Sequence, residues 1–208
     1  MTIVYLIRHS KTLKTKNELN YENLQIKNEK TSLSLEGEQL AKDKLSKKEF
    51  NDIDVLYSSN YVRAVQTAKY IADEKIDLNL VSGFGERRFG IKTWEELPQD
   101  FEDKQFLDEN YKIGDGESQK EVKERMYKSL INIITENKDK RIAIVSHATA
   151  ISFLLKTWCD VFLDDNKIRF IFNNKEIFYG HLDYCETFKL EFDNDKLINI
   201  EIINWRLL

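Results

Sequence analysis

The segment TIVYLI, Thr2–Ile7, is apolar or β-branched at nearly every position. A strand with one wet face alternates in polarity, whereas a continuous run of this kind is read as buried on both faces. Strands of that sort belong to mostly parallel sheets with helices on either side. The run then stops abruptly at Arg8 and His9. A later run, RIAIVSH, repeats the pattern: an apolar strand that ends in Ser146 and His147.

The chain between and after these runs alternates strand and helix signals. LSLEGEQLAKDKL reads as a helix with Ser34 as its N-cap. Ile53–Tyr57 reads as a strand, followed by a helix in SSNYVRAVQTAKYIADE capped by Ser58 or Ser59, with Val62, Val65, Ala68 and Ala72 on its apolar side. Leu78–Val81 reads as a third strand. SQKE marks a capping box, Ser118 with Glu121, at the start of a long helix. RIAIVSH is the fourth strand and ATAISFLLKTW the helix after it. From Ile168 onward IRFIF, YCETFKLEF and LINIEIIN are strand-like, with a hairpin turn at Asp193–Asp195. Residues 10–33 read as a long polar excursion. Residues 82–116 read as irregular and contain Gly83, Gly85, Gly90, Gly114 and Gly116. This order predicts an α/β protein: a three-layer α/β/α sandwich around a mostly parallel sheet, as one domain over 1–208.

Bulk properties narrow the function. The 208 residues are 41% hydrophobic and 33% charged, an ordinary globular balance that argues against global disorder. The net charge of −4 argues against electrostatic nucleic-acid binding, which goes with a basic excess. No apolar run reaches the length of a membrane span, and MTIVYLIRHS lacks a basic leader. Cys159 and Cys185 are far apart and form no metal-like cluster. A soluble, cytoplasmic protein is expected, monomeric or homodimeric, without nucleic-acid or membrane partners.

In open α/β sheets, ligands sit at the carboxyl ends of the strands. Three predicted strands deliver chemistry there: Arg8-His9, Ser58 followed by Arg63, and Ser146-His147. Each alone is ordinary, since Arg63 by itself reads as a helix-surface cation and His147 as a satisfied core histidine. Yet the chain has only three histidines, and two of them end apolar strands in the same way. A phosphoryl group explains the set. Arg8 and Arg63 can hold its oxygens through fork geometry, and His147 can add a donor. The helix beginning at Ala148 aims free N–H groups, such as those of Ala148 and Thr149, at the same anion. A neutral His9 can then attack phosphorus. The leaving group needs an acid. Glu86, Glu95 and Glu96 are available in GFGERRFGIKTWEELP, and spacing alone leaves Glu86 balanced between proton donor and surface carboxylate.

Together LIRHS, SSNYVRAVQTA, GERRFG and VSHATAI, in that order, resemble the histidine phosphatase superfamily, the phosphoglycerate-mutase-like phosphatases. LSLEGEQLA and GDGESQKEVKER are similar to two further segments of that family. The resemblance implies a phosphoglycerate-mutase-like fold, His9 as phosphate-accepting nucleophile and Glu86 as proton donor. It places Arg8, Arg63 and His147 in the phosphate pocket, and implies chemistry without a metal or other cofactor. The family usually reads Arg-His-Gly-Glu-Thr, whereas this chain reads Arg8-His9-Ser10-Lys11-Thr12. Ser10 beside the nucleophile is expected to cost strain if the position needs a glycine-like backbone, and Lys11 is expected to make the mouth more cationic. The family often places an asparagine near the phosphate. Thr15 holds that position here and Asn17 lies two further on, so either fits. Arg87 is expected at a basic rim with Lys14, Lys16 and Arg88, while His181 and the tryptophans are expected to be structural. The reading is a phosphatase acting on a small phosphomonoester. The alternatives are a phosphoglycerate mutase and a catalytically weak phospholigand-binding protein of the same fold.

Overall fold

A computed structural model describes residues 1–14, 24–72, 76–164 and 167–203. Thr15, Lys16, Asn17 and Tyr21 lie outside the described residues, as does Trp205. The elements are β1 (Thr2–Arg8), α1 (Leu24–Lys30), α2 (Leu35–Leu45), β2 (Val55–Ser58), α3 (Val62–Ala68), β3 (Leu78–Leu80), α4 (Phe101–Leu107) and α5 (Gln119–Glu136). They continue with β4 (Arg141–Ser146), α6 (Ala148–Leu155), β5 (Asp160–Asp164), β6 (Lys167–Phe172), β7 (Lys175–Gly180), β8 (Thr187–Asp193) and β9 (Lys196–Ile202).

The main sheet has the order β3-β2-β4-β1-β8-β9. The first four strands in that order are parallel, and β8 and β9 add an antiparallel flank. β1 therefore lies in the interior of the sheet, which is why its apolar run is continuous. Val4 and Leu6 face one layer, with Ile142, Ile144, Val122 and Met126 of α5, and Ile151 and Leu154 of α6. Tyr5 and Ile7 face the other, with Ala143, Val145, Ala41 and Leu45 of α2, and Ala64 and Ala68 of α3. Period-2 alternation puts apolar side chains into both layers, so the run between its ends is apolar save for the Tyr5 hydroxyl, which reaches Glu49.

Several local features follow the sequence reading. Ser34 caps α2, accepting from Gly37 N–H at 3.0 Å. Ser118 and Glu121 form the complete capping box of α5. The β8–β9 connection turns at Asn194, whose φ is 54°. Others differ. The long polar excursion contains α1, and the irregular 82–116 stretch contains α4. Neither Ser58 nor Ser59 caps α3 directly: Tyr61 is the N-cap residue, without a side-chain cap bond. The Ser59 hydroxyl instead accepts from Tyr61 N–H at 3.2 Å, one turn early. The buried face of α3 is Arg63, Ala64, Thr67 and Ala68, while Val62 and Val65 are only half-buried. Strands β5, β6 and β7 form a separate antiparallel sheet. Its β6–β7 hairpin uses Asn173-Asn174 (φ 50° and 61°), the left-handed pair that two-residue hairpin loops prefer. It packs through Phe170 and Phe178 on Phe188 of β8. No helix among the described residues is long and apolar enough to cross a membrane.

Candidate active site

Parallel pairing aligns the carboxyl ends of β2, β4 and β1 side by side. Arg8 is in register with Ser146, and Ser58 with Val145. The next residues in each chain, His9, His147 and Ser59, are thereby forced to one edge. The His9 and His147 rings lie edge to face, 5.1 Å between centroids. Arg63 enters from the first turn of α3. Tyr61, just before it, packs its ring on His147 at 4.7 Å.

Hydrogen bonding fixes the state of His9. Nδ1 lies 2.7 Å from the Ser10 carbonyl, and Nε2 lies 3.0 Å from Arg63 Nε. A carbonyl can only accept and a guanidinium can only donate. The ring proton is therefore on Nδ1, and Nε2 presents a lone pair. Burial holds this imidazole well below the usual histidine range, and the charges of Arg63 and Arg8 push the same way. His9 is a neutral imidazole with its unprotonated nitrogen facing a cation.

His147 is fully buried, and burial followed by the charge of Arg63 likewise keeps it neutral. Its Nε2 lies 2.9 Å from Ser59 Oγ. That oxygen already accepts from Tyr61 N–H, and giving the hydroxyl proton a partner means donating it to Nε2. Nδ1 then carries the ring proton. Nδ1 is buried and has no partner among the described residues.

The arginines are similarly incomplete. Arg8 donates through Nη1 to the Leu182 carbonyl and stacks on Tyr184, 4.4 Å from the ring centroid. Arg63 donates through Nη1 to the Asn28 carbonyl. Arg8 Nε, Asn28 Nδ2, Arg87 Nε and His147 Nδ1 are four of the seven buried polar side-chain atoms without a partner among the described residues. Unpartnered buried donors are costly, and two of these, Arg8 Nε and His147 Nδ1, belong to residues at the adjoining ends of β1 and β4.

Glu86 follows the 3-10 turn Ser82–Phe84. Its Oε1 accepts from Arg87 N–H at 3.0 Å and from Ala150 N–H in the first turn of α6 at 3.1 Å. Its charge partly offsets the effect of burial on Arg63 and Arg8. The structure thus brings Arg8, His9, Arg63, Glu86, His147 and the start of α6 to one place. A cleft of about 380 Å³ opens alongside, lined by Arg8, Arg87, Ala148, Thr149, Phe106 and His181, among others. His181, expected to be structural, borders this cleft.

Other expected residues are placed differently. Ser10, expected among the phosphate ligands, is fully buried and turned away: its N–H donates to Thr67 Oγ1 at 2.9 Å and its hydroxyl to the Gly37 carbonyl at 2.7 Å. Its φ is not positive, so the strain expected from replacing a glycine does not arise. Lys11 is paired with Glu36 at 2.6 Å, which cancels the extra positive charge expected at the mouth. Arg87 is no surface rim residue. It is 3% exposed, lies against Phe89 and Phe101, and pairs with Glu102. Arg88 pairs with Glu117 instead. Ser59, Tyr61, Leu182 and Tyr184 were not legible as site residues. They act through ring stacking, a hydroxyl and a backbone carbonyl, none of which leaves a motif. Among the described residues no three His, Cys, Asp or Glu side chains converge as a metal site requires.

Fold and site together define an α/β protein with two histidines and two arginines gathered at the carboxyl ends of its central strands. The sequence profile of the histidine phosphatase superfamily (branch 1) matches residues 4–198, and the chain belongs to that family. No curated protein sequence matches it significantly. Among solved structures, the phosphoserine phosphatase of Entamoeba histolytica is similar at 22% identity, covering 97% of each chain, with a TM-score of 0.64. A mycobacterial glucosyl-3-phosphoglycerate phosphatase is similar at 15% identity, covering 98% of each chain, with a TM-score of 0.65. At these identities the likeness establishes the fold, a phosphoglycerate-mutase-like α/β architecture.

Proposed function

We propose that this chain is a phosphatase that hydrolyses small phosphomonoesters through a phosphohistidine on His9. The observation that carries the reading is the His9 tautomer: Nδ1–H held by the Ser10 carbonyl, with the Nε2 lone pair facing Arg63. Only an unprotonated nitrogen can attack phosphorus, and burial maintains that state below the ordinary histidine range.

On substrate binding, the Arg63 Nε–H turns from His9 to a phosphoryl oxygen, which frees Nε2. Arg8, His147 Nδ1–H and the N–H groups of Ala148 and Thr149 take the remaining oxygens. Nε2 attacks, the N–P bond forms and the P–O bond to the alcohol breaks. Glu86 gives its proton to the departing oxygen. Water then attacks the phosphohistidine, Glu86 takes its proton, and inorganic phosphate leaves. The positive groups stabilise charge on the transferring phosphoryl group, so the reading requires no metal. Location in the cytoplasm and action as a monomer or homodimer belong to the same reading. Family membership and the names of the two similar structures support a phosphatase over a mutase.

The test is acid-labile labelling from a radioactive phosphomonoester, with release of inorganic phosphate measured alongside. Wild type is expected to label and to release phosphate, and His9→Ala to do neither. Label that persists in His9→Ala refutes the assignment of the nucleophile. Transfer to a second hydroxyl without free phosphate would make the chain a mutase instead.

A further inference from the structure

The segment carrying Glu86 has a single 3-10 turn and no helix or strand to hold it. A side chain from α5 holds it instead. Arg125 Nη1 donates to the carbonyls of Gly83 at 2.8 Å and Gly85 at 3.0 Å, and Nη2 to that of Glu86 itself at 3.1 Å. The same guanidinium forms a two-pronged pair with Glu117: Nε to Oε1 at 2.7 Å and Nη2 to Oε2 at 3.0 Å. Glu117 Oε2 also accepts from Arg88 N–H at 3.0 Å, and Glu117 N–H donates to the Arg88 carbonyl at 2.9 Å.

The backbone is therefore gripped on both sides of Glu86, at residues 83, 85 and 86 before its side chain and at 88 after it. The grip is rigid for two reasons. Glu117 immediately precedes the Ser118 cap of the 18-residue α5, so its position is set by a long helix. Its side chain is 8% exposed and Arg125 is 23% exposed, so water competes little for the pair.

We propose that Arg125 and Glu117 are positioning residues for Glu86, setting where its carboxyl stands relative to the leaving oxygen. This rests on the reading of Glu86 as proton donor. A displacement of about 1 Å at such a group is enough for a loss on the order of 100-fold. A fork serving only the fold would, when cut, slow every substrate alike. A positioning fork slows those substrates whose leaving group needs the proton.

The experiment compares p-nitrophenyl phosphate, whose leaving group departs without help, with phenyl phosphate, whose leaving group needs an acid. Wild type is measured beside Glu86→Gln, Arg125→Gln, Glu117→Gln and the double variant Glu86→Gln/Arg125→Gln. Each is assayed well below its own melting temperature. Glu86→Gln is expected to lose at least about tenfold more kcat/KM on phenyl phosphate than on p-nitrophenyl phosphate. Arg125→Gln and Glu117→Gln are expected to show the same bias. The double variant is expected to be no slower than Glu86→Gln alone, because both act through one proton. Equal losses on the two substrates in the fork variants, or losses that multiply in the double variant, overturn the positioning role while leaving Glu86 as the acid. No bias in Glu86→Gln overturns the acid assignment and this proposal with it. Where Arg125→Gln fails to fold, Glu117→Gln and its double with Glu86→Gln decide by the same criteria.

Discussion

Gly37→Ala joins the fold to the site in one substitution. Gly37 lies in the first turn of α2, where that helix meets the residues that follow His9. A Cβ there would stand 1.9 Å from the Lys11 carbonyl oxygen and 2.8 Å from its carbon. Both are backbone atoms, so no side chain can rotate aside. Relief to an ordinary contact near 3.4 Å requires the helix and the 10–12 segment to part by about 1.5 Å. Besides the exposed Lys11–Glu36 pair and a long bond from the Ser34 hydroxyl to the Lys11 carbonyl at 3.4 Å, two shorter hydrogen bonds cross that seam, Ser34 N–H to the Lys11 carbonyl at 3.0 Å and the Ser10 hydroxyl to the Gly37 carbonyl at 2.7 Å. Overpacking costs about 1–3 kcal/mol, and each lost hydrogen bond about 1 kcal/mol. Alanine returns about 1 kcal/mol through its better helix propensity. The net expectation is a destabilisation of about 2–4 kcal/mol, read by urea unfolding at unchanged m-value. The nucleophile should suffer as well. Ser10 carries the carbonyl that fixes His9 Nδ1, so moving Ser10 turns the ring. Phosphoenzyme formation is expected to slow by at least about tenfold. A variant within about 0.5 kcal/mol of wild type, labelling at the wild-type rate, would refute the close-approach reasoning.

Three further outcomes are expected. His9 and His147 are held neutral in the fold but take up protons near pH 6.5 when unfolded, so the unfolded state binds more protons below that pH. Stability is therefore level above about pH 7 and falls as pH drops from about 6.5 towards the depressed folded values, by on the order of 1 kcal/mol per pH unit for each histidine. Urea midpoints at pH 7.5, 6.5 and 5.5 measure this, and a flat profile contradicts it. Ser118→Ala removes half of the α5 capping box and is expected to cost about 1 kcal/mol in the same assay. Lys11→Met breaks only a solvent-exposed pair with Glu36, so stability is expected to change by under about 1 kcal/mol. Its kcat/KM should stay within about threefold of wild type, because that charge is already neutralised. A larger rate loss would return Lys11 to the mouth of the site.

How much of this was legible in the sequence depended on whether a residue's role was local. The strand ends could be read because β1 and β4 are buried on both faces and their apolar runs stop where the chemistry starts. The two caps at Ser34 and Ser118 could be read because capping is a contact over three residues. The helix α4, FEDKQFL, could not. Its buried face includes Gln105, whose Nε2 donates to the carbonyls of Glu117 and Tyr111, while Leu107 is 84% exposed. Hydropathy thus points the wrong way at two of its seven positions. The α3 helix misled for a functional reason. Its inward face is led by Arg63, which amphipathic patterning assigns to solvent, because His9 and the Asn28 carbonyl draw the guanidinium in. The partners of Lys11 and Arg87 are distant side chains, and no local pattern announces them.

The charge arithmetic of the pocket explains why its histidines are neutral. Arg63 is buried and Arg8 half-buried, each is lowered from its ordinary value by desolvation, and both bear on His9 and His147. Protonating both imidazoles would put four positive groups in one cluster. Keeping the imidazoles neutral leaves two cations, which match the two negative charges of a phosphomonoester dianion. The same economy governs the hydrogen bonds. Leu182 and Asn28 lend one backbone carbonyl to each guanidinium, enough to aim it without saturating it. Arg8 Nε and His147 Nδ1 stay unpartnered among the described residues. In the proposed reaction an arriving phosphate supplies those missing acceptors, so its binding replaces few existing bonds. Among the described residues the contact it must break is Arg63 Nε–H to His9 Nε2, and breaking that contact is what exposes the proposed nucleophile. Binding and activation of His9 are then a single event, and the pocket holds its attacking lone pair covered until there is something for it to attack.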